Sequence, residues 1–281
     1  MGRIFVYKIG SAYLNASTED KNSAKWEIEK IKYIAHKYNG HKNILLLVGG
    51  KASPKDKDFI EYMLQHGHFD YKVFVMTDTG SLALMEYINQ CDLLLHQSML
   101  PIEGCTTIQA YGYMPEMFMN SEYPTFQQKN NVVLFGGNNL NRDEELKHLC
   151  FDEKGNVNDG MFLLLKNYET GSDARIDHST YLRLLSMSKY SLVFSSPWIY
   201  KHGWITARMI EAFACGNIPL VSAGYDSCRA YCHTWTTVLC YDGIRKILNG
   251  YHEREIAEEL KQNTALAQSR ANKFEEILLN L

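Results

Sequence analysis

Short apolar runs alternate with segments of helical period along most of the chain. "RIFVYKI" predicts a first strand. "AKWEIEKIKYIAHKY" predicts a helix, with Trp26, Ile28, Ile31 and Ile34 near one face. "NILLLVGG" is a continuous apolar strand ending in Gly49 and Gly50, and "KDFIEYMLQHG" is a helix closed by Gly67. "YKVFVMTD", "SLALMEYINQ" and "DLLLHQ" continue as strand, helix and strand. Apolar strands that alternate with helices predict a parallel sheet covered on both faces.

The rhythm breaks between residues 101 and 130, where Pro101, Pro115 and Pro124 stand among polar residues, and this stretch reads as an interdomain crossing. A second alternation follows: "NVVLFGG", "RDEELKHLCF", "MFLLLK", "STYLRLLSMSK" and "SLVFSS". "PWIYKHGW" reads as a loop. Thr206 to Ala214 reads as a helix and "NIPLVSA" as a strand, and the tail reads as one or two amphipathic helices. The predicted fold class is α/β, with two doubly wound, Rossmann-like domains facing a cleft. The expected boundaries are 1–120 and 130–264, with a C-terminal helix at about 265–281 packing back on the first domain.

The 281 residues suit two domains of ordinary size. The net charge of −3 does not advertise a nucleic-acid partner, although it leaves room for a local basic patch. Seven cysteines, scattered through apolar segments, read as reduced thiols in a cytoplasmic protein. The first residues show no signal-peptide pattern, and no apolar run approaches the about 18 residues of a membrane span.

Ligands of open parallel sheets bind beyond the carboxyl ends of the strands, so the residues there carry the candidate chemistry. Asp78, after "FVMT", is either a general base or the N-cap of the next helix. Gly136 and Gly137 would let a ligand approach the backbone. Arg142 stands at a helix start, against the dipole preference. It fits an anionic ligand such as a diphosphate, or a surface residue offset by Asp143, Glu144 and Glu145.

"WITARMIEAFACGNIPLV" places Arg208 and Glu211 three apart in an otherwise apolar helix. They could form an internal ion pair. Alternatively, Arg208 could meet phosphate oxygens and Glu211 two ribose hydroxyls. Cys228, Cys232, His233 and Cys240 have no usual zinc spacing, so no metal site is assigned. Lys51, Lys55 and Lys57 form a basic loop that is either solvated or in contact with DNA phosphates.

"ITARMIEAFACGNIPLVS" resembles the Glu-containing helix and following strand of GT-B-fold glycosyltransferases. "FVMTD", "YMPEMF", "VVLFGG" with its downstream Arg, "WITARMIE" and "SRANKFEEILLNL" together are similar in order and spacing to the DNA β-glucosyltransferase family of T-even-type bacteriophages. The resemblance implies transfer of a sugar from a uridine diphosphate (UDP) sugar to 5-hydroxymethylcytosine, or a related hydroxymethylated pyrimidine, in double-stranded phage DNA. It implies an inverting reaction on a flipped base, by a monomer in the cytoplasm of a bacterial host, with no membrane partner. Asp78 would be the base, Arg142 and Arg208 would hold the diphosphate, Glu211 the ribose, and a segment near Ile176 the uracil.

Two departures matter. Only one loop arginine, Arg142, matches where the family has two, and the family's sugar-contact acid falls on Pro197. The sugar contact would then pass to Trp198, Tyr200 or His202, and the sugar is glucose or a variant such as arabinose. A divalent cation, Mg2+ or Mn2+, could assist diphosphate departure, although no dedicated ligand cluster is visible. The competing readings are a GT-B enzyme with a glycan or lipid acceptor and a non-catalytic nucleotide-binding α/β protein.

Overall fold

The computed structural model describes residues 2–10, 24–50, 52–76, 79–96, 98, 100–103, 106–109, 123–137, 162–166, 178–193, 197–222, 237–238 and 253–281. The chain divides into two compact units. One comprises residues 1–114 and 269–281, the other residues 115–268.

The first unit holds a parallel sheet in the order β1 (Ile4–Lys8), β2 (Ile44–Gly49), β3 (Tyr71–Met76), β4 (Leu93–His96) and β5 (Thr107–Gln109). Every residue of β2 and β4 is buried, as the continuous apolar runs require of strands covered on both faces. Helix α1 (Ala24–Lys37) places Ile31 and Ile34 in a core with Leu46, Val48, Val73, Val75 and Leu95. Phe274 and Leu278, near the end of the last helix, complete that core. Ile4 and Val6 pack against it, so strand alternation turns Phe5 and Tyr7 to the other face. On that face Tyr7 meets Phe59 of α2 (Pro54–His66), with ring centroids 4.4 Å apart.

Helix α2 begins with a capping box. Asp56 Oδ2 accepts from the Ser53 backbone N–H (2.8 Å) and hydroxyl (2.6 Å), and Ser53 Oγ accepts from the Asp56 N–H. Pro54 occupies the first turn, where its missing N–H does no harm. Tyr7 donates its hydroxyl to Asp56 Oδ1 at 2.9 Å. Burial acts to raise the Asp56 carboxyl, but hydrogen bonds from Ser53 and Tyr7 outweigh it and hold the group below its ordinary value. Gly67 caps the far end with φ −73°, which any residue adopts. Its need is space, because a Cβ there would lie 2.4 Å from the Met63 carbonyl oxygen and 2.3 Å from the Phe69 ring. "SLALMEYINQ" forms a 3-10 turn (Thr79–Leu84) followed by the single-turn helix α3 (Met85–Ile88), rather than one continuous helix.

The second unit holds a parallel sheet of β6 (Asn130–Gly137), β7 (Phe162–Lys166), β8 (Ser188–Val193), β9 (Ile218–Ser222) and β10 (Thr237–Val238). Their spatial order is β10-β9-β8-β6-β7, so strand order reverses between β6 and β8. Helix α4 (His178–Ser186) leads into β8. Residues 197–201, read above as loop, form a short helix α5 (Pro197–Lys201) with proline in the favoured first position. Helix α6 (Ala207–Ala214) then connects β8 to β9. The tail is one helix, α7 (Glu253–Leu279), which runs from the second unit into the first. No helix among the described residues is long and apolar enough to cross a membrane.

Candidate functional site

The reversal of strand order places a switch point at the carboxyl ends of β6 and β8, the usual ligand position in such sheets. Gly136 and Gly137 end β6, paired with Leu165 and Lys166 of β7. β8 ends at Val193, and α5 follows from Pro197. At the end of α5 the Trp198 ring and that of His202, just beyond the helix, meet with centroids 4.3 Å apart, and His202 Nδ1 lies 2.8 Å from the Trp198 carbonyl oxygen. Opposite a carbonyl, that nitrogen carries the proton and donates. Trp198 keeps 45% of its surface exposed. Pro197 and Tyr200 belong to the same helix.

Helix α6 carries the two charges that the sequence singled out. Met209, Ile210, Ala212 and Phe213 are buried, Glu211 is only 4% exposed, and Arg208 is half-buried in the first turn. A charge in such surroundings requires a partner or a ligand. Both charges act on Tyr181 of α4. Burial raises the phenol well above its ordinary value, Glu211 adds to that rise, and Arg208 opposes it.

The other end of α6 is fixed by its own residues. Gly216 adopts φ +67°, its N–H bonds to the Phe213 carbonyl, and the Asn217 N–H reaches the Ala212 carbonyl at 2.8 Å. This is a Schellman stop, and it explains the Gly-Asn pair in the sequence. Asn217 Nδ2 then donates to the Ser188 carbonyl at 2.7 Å, tying the helix end to β8.

Sequence reasoning missed Lys129. Its side chain is buried, and its Nζ donates to the carbonyls of Ser186 and, at 2.7 Å, Cys215. These groups stand at the C-terminal ends of α4 and α6, where the helix dipoles favour a cation. Burial pushes Lys129 down to about 8, partly opposed by Cys215. Burial pushes the Cys215 thiol up to about 12 with help from Glu211, while Lys129 and Tyr123 oppose the rise. A pocket of about 440 Å³ lies at this end of α6, lined by Tyr123, Phe126, Lys129, Cys215 and Leu260 among others. It is at the opposite end of the helix from Arg208.

Lys55 is exposed at the start of α2, and Lys57 lies 3.9 Å from Glu86. Lys51, Asp78, Arg142 and Ile176 lie outside the described residues, as do Cys228, Cys232, His233 and Cys240. Among the described residues, no group of three or more His, Cys, Asp or Glu side chains could hold a metal ion.

No family model matches the sequence, and no curated protein matches it either. Solved structures do match. The DNA-modifying enzyme β-glucosyltransferase, determined with and without uridine diphosphoglucose, shares 13% identity over 100% of both chains, with a TM-score of 0.55. An α-glucosyltransferase in complex with UDP and a 13-mer DNA containing an HMU base shares 11% identity over 98% of this chain and 90% of that one, with a TM-score of 0.55. A trehalose-6-phosphate synthase shares 10% identity over 96% and 80%, with a TM-score of 0.52. At these identities the likeness is one of fold. The chain has the GT-B fold. The reversal between β6 and β8 belongs to a Rossmann-like sheet of that fold, and α6 is the helix that leaves it.

Proposed function

We propose that this GT-B chain is a UDP-sugar-dependent glycosyltransferase acting on a hydroxymethylated pyrimidine, such as 5-hydroxymethylcytosine, in duplex DNA. One observation carries the donor half: a buried Glu211 and a half-buried Arg208 stand on a helix that leaves the switch point of the second sheet. Arg208 and Arg142 hold the diphosphate, Glu211 accepts from the ribose hydroxyls, and the segment at Ile176 meets the uracil. Gly136 and Gly137 let the donor approach β6. Pro197, Trp198, Tyr200 and His202 face the sugar, with the exposed Trp198 ring as a stacking surface for it. The acceptor half rests on the fold shared with two DNA glucosyltransferases, one of them solved with DNA.

Asp78 takes the proton from the acceptor hydroxymethyl group as its oxygen attacks the anomeric carbon. The bond to UDP breaks on the opposite face, so the reaction inverts. The arginines stabilise the charge that gathers on the departing diphosphate. Lys51, Lys55 and Lys57 contact DNA phosphates, and the target base flips out of the duplex to be reached.

The test is transfer from labelled UDP-sugars to duplex DNA with and without hydroxymethylated bases. Asp78→Ala abolishes transfer and leaves UDP affinity unchanged. Arg208→Ala and Glu211→Gln each weaken UDP binding by about tenfold or more, the loss expected for a charge-assisted hydrogen bond. Unchanged UDP affinity in both variants means that the two charges serve the helix alone. Transfer to a saccharide and never to DNA moves the chain to the acceptor class of the trehalose-phosphate synthases, whose fold it also shares.

A further inference from the structure

The first unit contains a buried imidazole to which the reaction above gives no task. His96 ends β4, at the carboxyl edge of the sheet, in register with Gln109 of β5. It is 1% exposed. Its Nδ1 accepts the backbone N–H of Ser98 at 3.0 Å. Ser98 Oγ in turn donates to the Leu100 carbonyl and accepts the Leu100 N–H, both at 3.0 Å, so the turn that grips the ring is itself closed.

An Nδ1 that accepts leaves the ring proton on Nε2. That Nε2 is buried and has no hydrogen-bond partner among the described residues. Burial also pushes the imidazole down to about 4, so the ring is neutral and its tautomer constant across ordinary working pH. A buried donor left unpaired costs folding free energy, and this one stands at a strand's carboxyl edge, where open parallel sheets bind their ligands. The neighbouring strand is β3, and Asp78 follows its last residue, Met76, by two positions in sequence.

We propose that the Nε2–H of His96 is a fixed hydrogen-bond donor to an oxygen of the acceptor nucleotide. This rests on the glycosyltransferase reading above and adds a substrate contact on the acceptor side. The bond holds the nucleotide in place without moving a proton, so its strength does not change as pH crosses the ordinary histidine range.

Two substitutions of full-length protein separate the two ring nitrogens. His96→Asn places a carbonyl oxygen near the Nδ1 position, keeping the acceptor for Ser98 and leaving no donor at the Nε2 position. His96→Gln places an N–H near the Nε2 position and restores the donor. Each variant is assayed with UDP-glucose and a duplex carrying 5-hydroxymethylcytosine, alongside UDP affinity and Tm. His96→Asn is expected to lower kcat/KM for the duplex by about tenfold, the usual scale for one lost hydrogen bond, with UDP affinity unchanged. His96→Gln recovers most of that loss.

Wild-type kcat/KM from His96→Asn overturns the proposal. So does a loss of UDP affinity that matches the loss with the duplex, or a failure of His96→Gln to recover any activity, since the ring is then structural. If the wild-type chain transfers sugar to no duplex, the function itself fails and the role of His96 fails with it. That outcome is visible in the wild-type assay before any variant is read.

Discussion

Among the described residues two lysines are buried, one in each unit, and their charges are met in different ways. Lys30 of α1 is 1% exposed and donates to Glu275 of α7 at 2.5 Å, with Lys37 reaching the same carboxylate at 3.5 Å. Burial works against ionisation of that carboxyl, but the two lysines outweigh it and hold Glu275 below its ordinary value. Lys129 is 6% exposed, and its hydrogen-bond partners among the described residues are two carbonyls at helix ends rather than a carboxylate. The first arrangement joins two distant stretches of chain by full charges. The second uses partial charges and leaves the ammonium easier to discharge. A full counter-ion fixes a tertiary contact, whereas helix dipoles hold a cation that discharges at a pH nearer neutrality.

The largest expected effect is on the full-charge pair. Glu275→Gln leaves Lys30 buried without a counter-ion and lowers stability by about 3 kcal/mol in urea denaturation at pH 7. The double variant Lys30→Met, Glu275→Leu recovers most of the loss, because apolar packing replaces a buried pair well. Failure of that rescue would mean that the pair does more than satisfy itself. Lys129→Met is milder, at about 1–2 kcal/mol, since it unpairs two carbonyls and removes a cation that was already disfavoured. A loss equal to that of Glu275→Gln would erase the distinction between the two sites.

The pH dependence sharpens it. Lys129 has a folded value near 8 and an ordinary one of 10.5, so above pH 8 the unfolded chain binds more protons. Stability therefore rises between pH 8 and 9, by about 1 kcal/mol, and Lys129→Met abolishes the rise. Above pH 9 Cys215 works in the opposite sense, because the folded chain keeps a thiol proton that the unfolded chain releases. Denaturation curves at half-unit pH steps check both slopes. The smallest change is Gly216→Ala. A Cβ there would meet Lys129 Cε at an ordinary 3.5 Å, so only the positive φ opposes it, and the loss is about 1 kcal/mol. A larger loss would mean that Lys129 has no room to adjust.

These contrasts also show what the sequence could and could not reveal. The central strands were legible because β2 and β4 are buried on both faces and so read as unbroken apolar runs. Ile31 and Ile34 were legible from helical spacing. β5 was not, since its three residues, Thr107 to Gln109, are a strand only by pairing with β4. Helix α5 was read as loop although its proline stands where a helix starts. Glu211 drew notice because an acid inside an apolar helix is visible in one dimension. Lys129 drew none, because its partners lie 57 and 86 residues away and are main-chain carbonyls. His96 was visible as the end of an apolar run, but which ring nitrogen has a partner is a three-dimensional fact.

Helix α7 has a consequence for the order in which the molecule can be made. Phe274 and Leu278 belong to the same core as Ile44 and Val73, yet all of residues 115–268 are synthesised in between. On a ribosome the first unit emerges early and stays incomplete until the last helix is released. The second unit has no such wait for residues beyond Gln268. Translation therefore begins the N-terminal half first and completes it last, and a ribosome stalled in the final turns of α7 would hold a chain whose second unit is whole and whose first is still open.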